Sequence, residues 1–331
     1  MKKLSQTHRS AIKNCIVFGL PKSGKSELAG KLAEHFNLIW VDLENGHEVL
    51  YKLPQEWQER ITLISLPDTR SYPIAIETCL KMVKGPVSIC DKHGKVGCPI
   101  CKREETDAAK SGFVAADKKF EVTTNLHEEY FTDVDLNNLG PDTIVVFDSL
   151  TQLSTSAIAH ITKGESDTYK LEYDDWGNLG KLMDIFLSHI QAGNFNCVVI
   201  SHEQEVTTEG GKNMLVPVGG TRNFSRNTAK YFGHVVYAER KNKKHIFTSS
   251  TTASTTILAG SRSDVALESS DEPSLLQIFK PELYGDVVSS VKVEGTKKVE
   301  AQSAQIVGTP AKTGNETAAE ILAKLKAGKN K

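Results

Sequence analysis

The chain has 331 residues, 39% hydrophobic and 24% charged, with a formal net charge of −1. It carries enough apolar residues for one substantial core, and its charge is too balanced for nucleic-acid binding except through a local basic surface. No apolar run approaches the roughly 18 residues of a membrane span and "MKKLSQTHRS" lacks an apolar signal segment, so the expectation is a cytoplasmic protein with no membrane partner.

From Asn14 onward, the short apolar runs "CIVFGL", "LIWVDL", "ITLISL", "TIVVFD" and "NCVVIS" alternate with helical patterns. They read as buried parallel strands with crossover helices, an α/β fold. Before the last run, Leu179, Leu182, Met183, Phe186 and Ile190 recur at helical spacing. "HVVYAER", "KHIFTSS", "TTILAG" and "LLQIFK" then follow with no helix between them, which predicts further strands of the same sheet. The expected organisation is an N-terminal arm over 1–11, a core over 12–287 interrupted by an insertion over 86–132, and a flexible tail over 288–331. From Val291 the tail holds eight lysines against four glutamates. Asn315 can cap a short helix in it, with Ala318, Ile321, Leu322 and Leu325 as an apolar stripe.

Gly19, Leu20, Pro21, Lys22, Ser23, Gly24, Lys25 and Ser26 fit the pattern G-x-x-x-x-G-K-[ST] between a strand and the helix that carries Glu27, Leu28, Leu32 and Phe36. Backbone N–H groups in such a loop close around a β-phosphate at a helix N-terminus, Lys25 reaches the β/γ oxygens and the Ser26 hydroxyl ligates Mg²⁺. Asp148, closing "TIVVFD", is the expected second carboxylate for that ion, and ATP the expected nucleotide. Hydrolysis also needs a group that activates water. Many P-loop ATPases place a glutamate directly after the metal aspartate, but Ser149 stands there. Glu44 in "WVDLENG" follows the second strand, expected close to the P-loop strand, and is the candidate.

Within the insertion, "CDKHGKVGCPIC" spaces Cys90, His93, Cys98 and Cys101 as C-x₂-H-x₄-C-x₂-C. Each pair can bite one ion and the intervening glycines let the chain reverse, so a closed tetrahedral Zn²⁺ knuckle over 90–101 is expected.

"GLPKSGKS", "WVDLENG", "VVFDSLTQLS" and "NCVVISHEQ" occur in the order and spacing of the RecA/RadA recombinase ATPase core. The chain most resembles the short phage-encoded RecA-like proteins that assist single-strand annealing. This resemblance implies that Glu44 activates water, that Asp148 is the metal-strand aspartate and that His202, with Gln204, senses the γ-phosphate. It implies a homo-oligomer, filament or ring, in which a cation from the neighbouring subunit completes the site. Arg262 in "LAGSRSD" matches that position best, with Arg240 and Lys241 as alternatives. It also implies two loops on single-stranded DNA, here about 154–175 and 206–227. Arg222, Arg226 and Lys230 are the expected phosphate contacts, and Phe224 the expected base-stacking ring.

The function expected is a DNA-dependent ATPase for annealing or recombination, with the tail available to recruit a single-strand-binding protein. Two alternatives share these motifs: a hexameric helicase or helicase loader, and a nucleotide-gated DNA- or partner-binding module with little turnover.

Overall fold

The structure, a computed structural model, describes residues 12–284 except 67, 70, 71, 99, 100, 102–130, 209, 251–255, 264, 266 and 271. The chain divides into two compact units, Met1–Val288 and Ser289–Lys331. The N-terminal arm, the polar part of the insertion and the tail with its expected terminal helix lie outside the described residues.

Twelve strands are described: β1 Asn14–Gly19, β2 Asn37–Asp42, β3 Ile61–Ser65, β4 Val87–Cys90, β5 Lys95–Val96, β6 Phe131–Val134, β7 Thr143–Asp148, β8 Asn196–Thr207, β9 Asn213–Pro217, β10 His234–Lys241, β11 Lys244–Thr248 and β12 Gly260–Ser261. The α-helices are α1 Lys25–Gly30, α2 Gln55–Gln58, α3 Ile74–Lys84, α4 Leu150–Ile161, α5 Tyr173–Ala192, α6 Arg222–Ser225 and α7 Leu276–Phe279. The main sheet runs β11-β10-β1-β8-β7-β2-β3, with β12 paired to β10 and β9 to β8. Every pairing from β10 to β3 along that path is parallel.

Helices cover both faces, which is why the central strands are apolar on both sides. Alternate residues of one strand supply the two layers. Ile16 and Phe18 of β1 face a layer with Leu179, Met183 and Phe186 of α5, while Cys15 and Val17 face a layer with Leu28 and Ala29 of α1. The P-loop strand therefore sits mid-sheet, between β8 and β10, and β8 and β7 separate it from β2.

Four segments depart from expectation. "TTILAG" is not a strand among its described residues: only Gly260 enters β12, and Ile257 makes an isolated bridge to Leu215. "LLQIFK" is not a strand: Leu275, Leu276, Ile278 and Phe279 are buried in the α1 layer, a spacing that only a helix turns to one side. Lys13 Nζ donates to Ile278 O at 2.5 Å and to Phe279 O at 3.4 Å, at the helix C-terminus that favours a cation. Half of the first expected loop is helix, because Leu150, Leu153 and Ala157 bury one face of α4, and 162–172 separates α4 from α5. The second is largely a hairpin followed by α6: β8 continues to Thr207 and pairs antiparallel with β9 from Glu203↔Pro217 to Thr207↔Asn213.

The insertion forms its own antiparallel sheet, β5-β4-β6. Its β4–β5 turn is fixed against the core by Gly94, whose carbonyl accepts from Thr78 Oγ1 of α3 at 2.9 Å. A Cβ on Gly94 would lie 3.0 Å from Leu66 Cδ2, and its φ of 59° favours glycine.

Candidate nucleotide and metal sites

At the carboxyl ends of β1, β7 and β2, level with His202 of β8, expected residues converge. Ser26 Oγ donates to Asp148 Oδ2 at 2.8 Å, which ties the first turn of α1 to the tip of β7. Lys25 is buried and its Nζ donates to the P-loop carbonyls of Gly19 (3.0 Å) and Leu20 (2.7 Å). Burial pushes its pKa down, and the charges of Asp148, Glu44 and Glu203 oppose that shift. The Asp148 carboxyl is pushed up to about 7, first by burial and then by Glu44 and Asp42, against the Ser26 hydrogen bond and the Lys25 charge. A buried carboxylate with a hydroxyl beside it suits a divalent cation, whose charge would offset that burial. Gly24, the N-cap of α1, has φ 94°, a conformation that L side chains rarely adopt.

Glu44 reaches this site from the tip of β2. Ser149 Oγ donates to Glu44 Oε1, and His202 Nε2 lies 3.5 Å from the same oxygen. The His202 hydrogen bond chiefly holds the Glu44 carboxyl below the usual carboxylate range, Ser149 and the Lys25 charge add to this, and burial opposes it. Glu44 is thus ionised at neutral pH, the state a general base requires.

Two adjoining hollows of about 550 Å³ and 480 Å³ share Lys22, Lys25, Ser26 and Lys52. The larger also holds Glu44, Asp148, Ser149 and His202. Cavities of this size take a nucleotide.

Three residues not assigned from sequence organise the cleft. Buried Asp42 accepts from the N–H groups of Glu44 (3.1 Å) and Gly46 (3.2 Å) through Oδ1, and His47 Nδ1 lies 2.5 Å from its Oδ2. It shapes the turn that carries Glu44. Ser149 Oγ also accepts from Gln152 N at 3.3 Å and so caps α4; the S-x-x-Q spacing was the available signal. Thr151 Oγ1 accepts from His202 N at 2.9 Å. Asp42→Ala is expected to cost about 1–3 kcal/mol of stability, because two N–H groups lose their acceptor, and to lower turnover more than nucleotide affinity. Thermal unfolding together with steady-state kinetics checks this; an unchanged melting temperature would remove Asp42 from the account.

The other predicted residues fall elsewhere. Gln204 lies in the β8–β9 hairpin opposite Val216, beyond the cleft. Arg262 follows β12, and its N–H donates to Gly233 O at 3.0 Å. This lies beside His234, which pairs with Cys15 at the opposite end of β1 from the P-loop, so Arg262 is remote from its own chain's nucleotide cleft. Arg240, its alternative, lines that cleft. Arg222, Arg226 and Lys230 are exposed on and just after α6, and Arg226 Nη2 donates to Thr207 O at 2.5 Å. The Phe224 ring stacks on Tyr231, with centroids 6.2 Å apart, and packs against the core, so that face is not free for a base.

Cys90, His93, Cys98 and Cys101 bring one ligand atom each within 4.8 Å of one another. Cys90 Sγ lies 3.2 Å from Cys101 Sγ, and His93 Nδ1 lies 3.6, 3.5 and 3.3 Å from the sulfurs of Cys90, Cys98 and Cys101. Bonds of about 2.0–2.3 Å from one ion would span a set of this size, and three thiols with one imidazole suit Zn²⁺.

A parallel sheet with this loop, lysine and strand-end aspartate defines a P-loop nucleotide-binding ATPase. More particularly, the chain belongs to the AAA_24 family, an AAA domain, whose family model matches residues 12–263. A comparison with curated proteins finds no match. Among the described residues no helix is long and apolar enough to cross a membrane.

Proposed function

We propose that the protein is a RecA-like ATPase that binds single-stranded DNA as an oligomer and promotes annealing or recombination, in phage DNA metabolism. The observation that carries this reading is Glu44 at the tip of β2, which accepts from Ser149 Oγ and has His202 Nε2 3.5 Å away, in the cleft that holds Lys25, Ser26 and Asp148. Glu44 accepts the proton of the water that attacks the γ-phosphate, and His202 orients Glu44. Ser26 and Asp148 would hold Mg²⁺, which offsets charge on the phosphates. β8 runs without interruption from His202 to Thr207, whose carbonyl takes the Arg226 hydrogen bond, so one strand joins the nucleotide cleft to the basic surface of Arg222, Arg226 and Lys230. Arg262 from a neighbouring subunit completes the site, and the tail recruits a single-strand-binding protein. The Cys₃His cluster holds Zn²⁺ in a structural role, since four protein donors leave no open position.

Arg222→Ala and Arg226→Ala are expected to weaken single-strand binding and each to reduce the salt slope of log Kd by something under about one unit. Titration of a fluorescent oligonucleotide at several salt concentrations reads this. An unchanged slope in the double variant would put the DNA elsewhere.

A further inference from the structure

The hairpin of β10 and β11 carries "ERKNKKH", a basic run that the P-loop chemistry leaves without a role. Its position follows from register. β10 pairs with β1 up to Ala238↔Gly19, so the strand continues past its partner and overhangs the P-loop. Ala238 belongs to the apolar layer shared with α1. Arg240, two residues on, emerges on that same side, where the P-loop and α1 lie. On β11, His245 stands opposite Arg240 in the antiparallel ladder and shares its face.

Both side chains meet the nucleotide cleft of their own chain. His245 Nδ1 lies 2.8 Å from Ser23 O, so this nitrogen carries the proton and donates. A Cβ on Gly24 would come within 2.7 Å of the same nitrogen, so the ring occupies the space that the glycine leaves open. Arg240 and His245 line the smaller hollow with Lys22, Lys25, Ser26 and Lys52. A guanidinium fixed on a strand is a permanent cation with several donors, suited to a phosphate or polyphosphate.

We propose that the β10–β11 hairpin is a cis-acting part of the nucleotide site. His245 positions the P-loop by holding the Ser23 carbonyl, and Arg240 binds the triphosphate of the same subunit. Arg240 is therefore a binding residue for its own chain's ATP and not the cation lent to a neighbour. This rests on the P-loop cleft alone and is independent of any DNA interaction.

The test uses the full chain without DNA. Arg240→Ala should raise the Kd for a fluorescent ATP analogue by about tenfold or more, the scale for loss of one charge-assisted hydrogen bond. His245→Ala should raise it by a smaller factor, and His245→Asn, whose amide can still donate to Ser23 O, should restore most of the affinity. Equimolar mixing of Arg240→Ala and Lys25→Ala chains should recover no ATPase activity, because no subunit then holds both groups. Unchanged affinity in both alanine variants would overturn the proposal. So would recovery of activity on mixing, which would show that Arg240 serves the neighbouring subunit, and so would failure of the asparagine variant to rescue.

Discussion

Glu44→Gln is expected to bind nucleotide as the parent protein does and to hydrolyse it about 10²-fold or more slowly, the usual scale for loss of a general base. The substitution keeps shape and volume. Its amide oxygen can still accept from Ser149 Oγ, so the contact between the β2 and β7 tips survives. What is lost is the carboxylate that Ser149 and His202 contact. Lys25→Ala should give the opposite pattern. It removes the cation at the head of α1, and binding itself should weaken by about tenfold or more. Nucleotide titration beside single-turnover hydrolysis separates the two. Full activity in Glu44→Gln would exclude Glu44 as the base.

Cys98→Ser is expected to release the metal and unfold the knuckle. Elemental analysis of the parent should find about one zinc per chain, and the variant should retain little, because three donors remain where a closed site uses four. Structural zinc contributes folding free energy directly, so the β4–β5 hairpin should lose hydrogen-exchange protection. The loss should extend to the start of α3, since Gly94 packs on Leu66 and Ile74 and its carbonyl takes the Thr78 hydrogen bond. The P-loop is built on β1 and α1, in other elements, and should still bind ATP. Metal-free parent protein with a protected hairpin would refute the zinc assignment.

The central strands were legible because burial on both faces leaves unbroken apolar runs such as "IVVF" and "CVVI". The P-loop was legible because its chemistry is local, a glycine turn followed at once by Lys25 and Ser26. Residues 275–279 were not: four apolar residues in five fit either period, and only contact with the α1 layer selects the helix. The role of Asp42 is to accept backbone N–H groups, which leaves no residue pattern in the sequence. Phe224 looked free in a glycine-bordered segment, yet long-range contact with Tyr231 takes its ring. The approach of His245 to the P-loop depends on pairing between residues more than 200 positions apart in the chain.

Steady-state ATP hydrolysis by the 331-residue chain, with and without single-stranded DNA at one fixed salt concentration, is the most direct measurement of the account. A rate that rises when the DNA is added and collapses in Glu44→Gln is the predicted result. Hydrolysis indifferent to single-stranded DNA, in a protein whose DNA affinity is also indifferent to nucleotide, would contradict it.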